Sequence, residues 1–565
     1  MSSFSKLWLV VGVVCATTFA DRVSFSSGSK ASLETSLSQM DSGPNDVSVK
    51  LNIPYLDLSS ERDGFVGLSV EGLNPLERLG NPEVLTTGSL IAVPNGYRPV
   101  LTVTEQASKT LAGVVAKPHQ AKFRCDCATD AFSFNAQMYG SNVVYPESVA
   151  QLEVVGNFHG VELYRVALNP VQVDFANRST IVTSELSVKV HFEKVAERGI
   201  TEIPSSIARV IQQSAVNGRD NSLFREVPGE RMLIVAADDL KAAIAPYVDW
   251  KNESMTVDVI TFGELDRSKE EVQKFIKEYY AKNKFTYLLM VGNKTTNPGF
   301  MESTSAGSAA SDWKFTLLEG NDNIPDVFYG RLLADNAAEA KVQVAKWVAY
   351  EKTPESADWY HNATTIASRE GSNPSDKEYA IQIADALKAG SYKQVDGFFQ
   401  GDSSATGTNI TNALTRGSSW LAYFGHGSGT EWGSTNDKFD NKKVETLKNT
   451  RLPVVIDVAC LNASWVNIAK PFGKAWMIQQ NNGVGAGAVA FYGGSVSISW
   501  HPPAVMSVGI AKSYVDKHLK TVGEAVLAGQ LYLQAKMGTG KDTLDNLKWY
   551  NLFGDPNLHI RSEAL

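Results

Sequence analysis

Five stretches of this chain are almost wholly apolar over the length of a strand, with Thr286 and Asp457 the exceptions: "MLIVAA" (232–237), "FTYLLMVG" (285–292), "WLAYFG" (420–425), "LPVVIDVA" (452–459) and "GAVAFYGG" (487–494). A strand with one wet face alternates in polarity, whereas an uninterrupted apolar strand has both faces covered, the situation of a parallel sheet between helices. Helical patterns separate the runs. In "SKEEVQKFIKEYYAKNK" (268–284), Val272, Phe275, Ile276 and Tyr279 share one helical face and Ser268 stands as an N-cap. The half after residue 231 therefore predicts an α/β fold with a mostly parallel sheet flanked by helices.

The first half has a different rhythm. In "SELSVKVHFEKV" (184–195), Leu186, Val188, Val190 and Phe192 alternate with Ser187, Lys189 and His191, and "SVKLNIPYLDL" and "GVELYRVALNPVQVDF" read the same way. This period of two predicts an all-β sandwich from about 45 to 195. Residues 200–230 are rich in polar residues, Gly and Pro and read as an exposed linker. A chain of 565 residues exceeds one compact core, so two to four domains are expected.

Residues 1–20 read as a secretory signal: Lys6, then the apolar "LWLVVGVVCATTFA" (7–20) with small residues at its end. No later segment is apolar for long enough to span a bilayer, so an exported, extracellular protein without a transmembrane segment is expected. A net charge of −8 argues against nucleic acid as the main partner. Of the four cysteines, Cys15 lies in the leader, Cys125 and Cys127 in "RCDC", and Cys460 is alone in the second half. A lone thiol in an exported chain is either an inert core residue or a nucleophile.

Position favours the nucleophile. "LAYFGHGSGTEWG" (421–433) is apolar until it breaks into glycines around His426, and "VVIDVACLNASW" (454–465) stops at Cys460. In open α/β sheets ligands bind outside the carboxyl ends of the strands. An imidazole delivered to the same edge as a thiol can accept its proton. Gly427 permits close approach of a substrate carbonyl, and its N–H with that of Cys460 could form an oxyanion hole. His501 and His559 lack such a glycine-rich exit, and no HExxH, paired CxxC, Walker loop or GxSxG is present.

These segments, with "RMLIVAADDLKAAIAPYVDWKN" (231–252), "GNDNIPDVFYGRL" (320–332), "IASREGSNPSD" (366–376), "SISWHPP" (497–503) and "FGDPNLHIR" (553–561), resemble in order the gingipain family of cysteine peptidases, which have the caspase-type fold. Residues 165–193 resemble the end of that family's pro-domain. The resemblance implies a zymogen with a signal peptide at 1–20, a β-rich pro-domain and linker at 21–225, and a peptidase domain at 226–565, its subdomains meeting near 370. It implies Cys460 as nucleophile, His426 as general base and acid, and Glu370 orienting the histidine. Asp376 would floor a pocket for a basic P1 side chain and Trp500 would cover that side chain's stem. Alternatively Asp376 merely caps a helix, because "SDKE" (375–378) is a capping box. Cleavage would then follow non-basic residues.

The resemblance further implies no cofactor for catalysis but a structural calcium ion held by Asp322, Asp326 and the Glu319 and Ile324 carbonyls, with an acidic surface turn as the alternative. Asn293 stands where the family has an aspartate. Protein or peptide substrates and the chain's own pro-domain are the expected partners, with Lys122 or Arg124 blocking the pocket and Arg219 or Arg225 as the processing point. The chain ends soon after the peptidase segment, so attachment through a further C-terminal domain is not expected. A non-catalytic exported binding protein is the competing class. Asn-x-Ser/Thr sequons occur at Asn177, Asn252, Asn362, Asn409 and Asn462.

Overall fold

The computed structural model describes residues 21–39, 44–121, 124, 132–261, 263, 268–352, 358–515 and 518–561. The leader-like residues 1–20 with Cys15, and Lys122, Cys125 and Cys127, lie outside that range. Among the described residues no helix is long and apolar enough to cross a membrane.

The apolar runs form the centre of the second half. Its sheet strands are β1 (Arg231–Ala236), β2 (Thr256–Thr261), β3 (Tyr287–Val291), β4 (Phe328–Leu332), β5 (Asn362–Ala367), β6 (Gln394–Phe399), β7 (Trp420–Phe424), β8 (Val454–Val458), β9 (Ala490–Gly494) and β10 (Tyr550–Phe553). They make one ten-stranded sheet in the order β2-β1-β3-β4-β10-β9-β8-β7-β5-β6. Every pairing is parallel except β9 with β10. All residues of β3, β4, β7, β8, β9 and β10 are buried, as two covered faces require. The predicted helix follows β2: Lys269–Asn283 is capped by the Ser268 hydroxyl, which accepts the Glu271 N–H at 3.2 Å, and buries Val272 and Ile276.

Register decides what this sheet can do. Ala367 of β5 pairs with Phe424 of β7, and Phe424 pairs with Val458 of β8. The three strands therefore end level, and the loops opening at Ser368, Gly425 and Ala459 leave from one edge.

The first half is the predicted sandwich. One sheet runs Ser32–Ser38, Asp46–Asn52, Ser179–Lys194, Val171–Asp174, Val144–Tyr145, with the long strand Tyr97–Ala112 also on Ser179–Lys194. The other runs Ala150–Phe158, Val161–Leu168, Leu85–Val93, Asn74–Pro75. Leu186, Val188, Val190 and Phe192 point into one core with Ile91, Val166 and Leu168 of the facing sheet.

The linker expectation fails. Thr201–Pro204 pairs in parallel with Phe224–Val227, and helix α1 (Ser205–Ser214) connects them. Ile203, Ile207, Val210, Ile211 and Leu223 are buried in the core shared with β1, β3 and β4. Their spacing is that of a helical face, which the polar residues downstream masked in the sequence. The segment is further tied down by Arg209, whose guanidinium donates to both Glu524 oxygens at 3.1 and 2.7 Å. Because Ile207 is fully buried, Ile207→Ala should destabilise the full-length chain by about 2–5 kcal/mol in chemical denaturation. A solvated linker would leave the midpoint unchanged.

Candidate active site

The edge above β5, β7 and β8 carries three loops. The first, 368–376, runs from β5 to helix α2 (Asp376–Ala389). Ser375 caps α2 through the predicted capping box with Glu378, so Asp376 is the first helical residue and not the cap. Its carboxylate is fully buried and accepts the Ser368 hydroxyl at 2.7 Å.

The second loop holds His426 by its backbone. The His426 N–H donates to Ser434 Oγ at 2.9 Å, while the Tyr423 hydroxyl (2.7 Å) and the Gly433 N–H (3.0 Å) both donate to its carbonyl. This loop lies directly on the third. A Cβ on Gly427 would stand 2.5 Å from the Cys460 carbonyl oxygen, so no larger residue fits there. Gly427 bridges to Trp432, but the bond that closes this bridge runs from Gly433 to His426 and does not draw on the Gly427 N–H.

The third loop turns at Cys460. Leu461 has φ +65°, a left-handed conformation costing a leucine about 1–2 kcal/mol, and its N–H donates to the Val496 carbonyl at 3.1 Å. Asn462 fastens the second and third loops. Its side-chain oxygen accepts the Gly429 N–H at 3.1 Å, and its amide donates to buried Asp457 at 3.3 Å. Asn462 is fully buried, so its sequon is closed to glycosylation in the folded chain.

Into this edge comes Arg124 of the first half. Its side chain is fully buried, with Nη1 at 2.7 and 2.8 Å from the two Asp376 oxygens. Nη2 donates to the Trp500 carbonyl at 2.8 Å, and the guanidinium carbon lies 4.5 Å from the centre of the Trp500 ring. The Arg124 N–H donates to the Ile498 carbonyl at 2.9 Å, and its own carbonyl accepts from His426 Nδ1 at 2.9 Å. His426 Nε2 meets Glu370 Oε2 at 3.0 Å. A carbonyl and a carboxylate are both acceptors, so an imidazole serving both with Glu370 ionised carries two protons. Gly371 beside Glu370 has φ +80°, and a Cβ there would fall 2.5 Å from the Trp500 ring nitrogen.

The electrostatics of the thiol follow from this enclosure. Burial pushes Cys460 up to about 11, against the opposing pull of the Ile498 N–H, the Arg124 charge and the Ser497 side chain. Asp457, three residues earlier, is likewise raised to about 7 by burial despite the Trp432 ring N–H at 2.5 Å.

The residues expected to hold calcium are partly engaged with the protein itself, while Asp326 Oδ1 is buried without a hydrogen-bond partner and burial raises its carboxyl to about 7. Asp322 spends one oxygen on the Ile324 N–H (2.9 Å) and the other on the N–H of Asn157 in the first half (2.8 Å). Asp326 Oδ2 accepts the Leu318 and Glu319 N–H groups at 2.7 and 2.9 Å, and the Glu319 carboxylate pairs with Lys284. Asn293 is engaged with Asp335 at 2.9 Å. Among the described residues no three His, Cys, Asp or Glu side chains are grouped to hold a metal. The loop also receives the first half, since His159 Nε2 donates to the Asp326 carbonyl at 2.6 Å.

Of the two processing candidates, Arg219 is exposed in a turn, whereas Arg225 is exposed but lies in a paired strand and bonds Glu202. The residues that sequence reasoning did not find are Ser368, Tyr423, Ser434 and the Asp457–Asn462 link. Only Ser368 carried a signal, as the residue immediately past a buried strand. With Arg124 in place, burial keeps Cys460 as the thiol at pH 8. Alkylation of the full-length chain by iodoacetamide should therefore be slow at pH 8 and accelerate as pH rises towards 11. A rate already at its plateau by pH 8 would contradict the enclosed thiol.

Comparison with known proteins identifies the family of the chain. The profile of peptidase family C25 matches residues 226–561, and that of the C25 propeptide matches residues 50–222. Gingipain R2 of Porphyromonas gingivalis is 27% identical over 456 residues, 75% of this chain and 60% of the relative. Lys-gingipain HG66 of the same organism is 25% identical over 470 residues, 79% of this chain and 27% of the relative. The chain thus spans less than two thirds of these relatives' length. The crystal structure of the Arg specific cysteine proteinase gingipain R superposes with a TM-score of 0.55 at 29% identity, over 59% of this chain and 79% of that one. The complex of the Porphyromonas gingivalis RgpB pro- and mature domains gives 0.55 at 28%, over 59% and 80%. The chain belongs to peptidase family C25, the gingipain family of cysteine peptidases, and carries that family's propeptide ahead of its peptidase domain.

Proposed function

We propose that the chain is an exported cysteine endopeptidase, made as a zymogen, that cuts after arginine. The observation that carries this reading is Arg124, a basic residue from the propeptide seated on Asp376 with its own carbonyl on His426. A pseudo-substrate in the pocket states the side chain that the pocket accepts.

In the mature enzyme His426 takes the Cys460 proton and the thiolate attacks the scissile carbonyl carbon. The carbonyl π electrons move to oxygen, where the N–H groups of Gly427 and Cys460 stabilise the charge. His426 then protonates the departing amine as the C–N bond breaks, leaving an S-acyl enzyme. Water, deprotonated by the same imidazole, hydrolyses the thioester and restores the thiol. Glu370 holds the ring through Nε2 and stabilises its cationic form.

Latency has two parts in this reading. Arg124 fills the specificity pocket, and its carbonyl binds the imidazole rather than the two N–H groups that would activate it. With Nδ1 on the Arg124 carbonyl and Nε2 on Glu370, both ring nitrogens are engaged away from the Cys460 proton, so the nucleophile stays a thiol. Processing at Arg219 follows the same preference as the pocket. Arg219 is favoured over Arg225 because a protease binds an extended, unpaired segment and Arg225 is already paired in a sheet.

Arginine is preferred over lysine on length. Arg124 uses Nη1 for Asp376 and Nη2 for the Trp500 carbonyl, and a lysine nitrogen ends one bond short of both. It would leave a buried carboxylate incompletely paired. Hydrolysis of fluorogenic peptides by the processed protein should favour Arg over Lys at P1 about tenfold or more and vanish in Cys460→Ala. Asp376→Asn should lower kcat/KM on Arg substrates on the order of 100-fold or more, because it removes one partner of a buried charge pair. Undiminished cleavage after Arg in Asp376→Asn would remove Asp376 from the pocket and restore the non-basic alternative. N-terminal sequencing of the mature form should begin at Asp220, and a first residue outside 200–232 would overturn the processing assignment.

A further inference from the structure

Ser368 is the first residue beyond β5, fully buried, and pinned to the sheet by its N–H on the Phe424 carbonyl at 2.8 Å. Its hydroxyl donates to Asp376 Oδ2 at 2.7 Å and accepts the Glu370 N–H at 3.0 Å. A second link runs the other way, from the Asp376 N–H to the Glu370 carbonyl at 3.0 Å. A serine hydroxyl has one proton, and here it is committed to Asp376 while a lone pair is committed to Glu370. Asp376 and the backbone of Glu370, the partner of His426, thus belong to one hydrogen-bonded ring, with the Ser368 hydroxyl bonded to both.

We propose that Ser368 is a positioning residue through which the charge in the P1 pocket sets Glu370, and through Glu370 the His426 ring. This rests on the peptidase reading above. A guanidinium on Asp376 fixes the carboxylate plane, hence the direction of the Ser368 hydroxyl, hence the Glu370 N–H. An uncharged P1 group leaves a fully buried carboxylate without its cation, and such a group reorients towards whatever donors it can reach. The hydroxyl follows it, and the 369–375 segment loses the register that places Glu370 on Nε2. The pocket then affects the chemical step as well as binding, because the acid–base pair is correctly set only when a cation is bound.

The test uses the processed enzyme and matched peptides with arginine or citrulline at P1, which differ in charge at nearly constant shape. In the wild type, citrulline should raise KM and also lower kcat about tenfold or more. In Ser368→Ala the kcat ratio of the two substrates should fall towards one, while the KM difference persists because Asp376 remains. Ser368→Thr, which keeps the hydroxyl, should restore the kcat ratio. Glu370→Gln leaves Ser368 in place and should collapse the same ratio, so the proposal remains testable if Ser368→Ala does not fold. A wild-type kcat ratio retained in either Ser368→Ala or Glu370→Gln would overturn it, as would an equal loss on both substrates with the ratio intact. Hydrolysis that survives Cys460→Ala would overturn the peptidase reading, and this one with it, before any ratio is read.

Discussion

The level ending of three parallel strands is the constraint on which the rest depends. Because β5, β7 and β8 run side by side in the same direction, with Ala367, Phe424 and Val458 in register, the residues just past them share one edge. A parallel sheet must return each strand through a crossover, so its carboxyl edge is free for loops. That is how Glu370 and Asp376, His426, and Cys460, separated by tens of residues, come to one place. Side chains reaching between loops then set the fine geometry: Asn462 ties the glycine loop to Asp457, and Tyr423 and Ser434 clamp the histidine backbone.

The second organising interaction crosses from one half of the chain to the other. Arg124 and Asp376 are both without solvent exposure, and two such charges are costly to bury unless each is well paired. Here the carboxylate also has the Ser368 hydroxyl, and the guanidinium has the Trp500 carbonyl and ring. The pairing is supported by contacts far from the pocket. Arg165 of the sandwich donates to the Ala535 carbonyl at 2.8 Å, at the end of the helix Val522–Met537, where the exposed carbonyls attract a cation. Lys536 answers with a bond to the Gly88 carbonyl at 3.0 Å, and Asn157 and His159 dock on the 319–326 loop. The seat of Arg124 is therefore supported by a broad interface between the two halves.

Much of this was readable before the fold was known, and the reason is burial. Strands covered on both faces have no choice but to be apolar, so the sheet of the second half and the positions of His426 and Cys460 at its edge follow from hydrophobic pattern alone. The sandwich announced itself by alternation at Leu186–Phe192. What pattern does not encode is where a side chain's hydrogen bonds go. Asp376 is the first residue of a helix and also the partner of Arg124, and the second of these is visible only in three dimensions. The carboxylates at 322 and 326 have the residue types of a cation loop, and three of their four oxygens accept backbone N–H groups while Asp326 Oδ1 is buried without a partner, which no composition reveals. The segment 200–227 was misread because its polar turn was conspicuous and the helical spacing of Ile207, Val210 and Ile211 was short.

In the proposed reading, Arg124 holds the chain latent by occupying the Asp376 pocket. The most direct measurement is labelling of the intact, unprocessed chain by an arginyl chloromethyl ketone, comparing wild type with Arg124→Ala and using Cys460→Ala as the blank. Wild type should resist the reagent, while Arg124→Ala should be labelled at Cys460 without prior cleavage. Equal resistance in both, with Arg124→Ala folded as judged by its denaturation midpoint, would contradict it and place the block elsewhere in the interface.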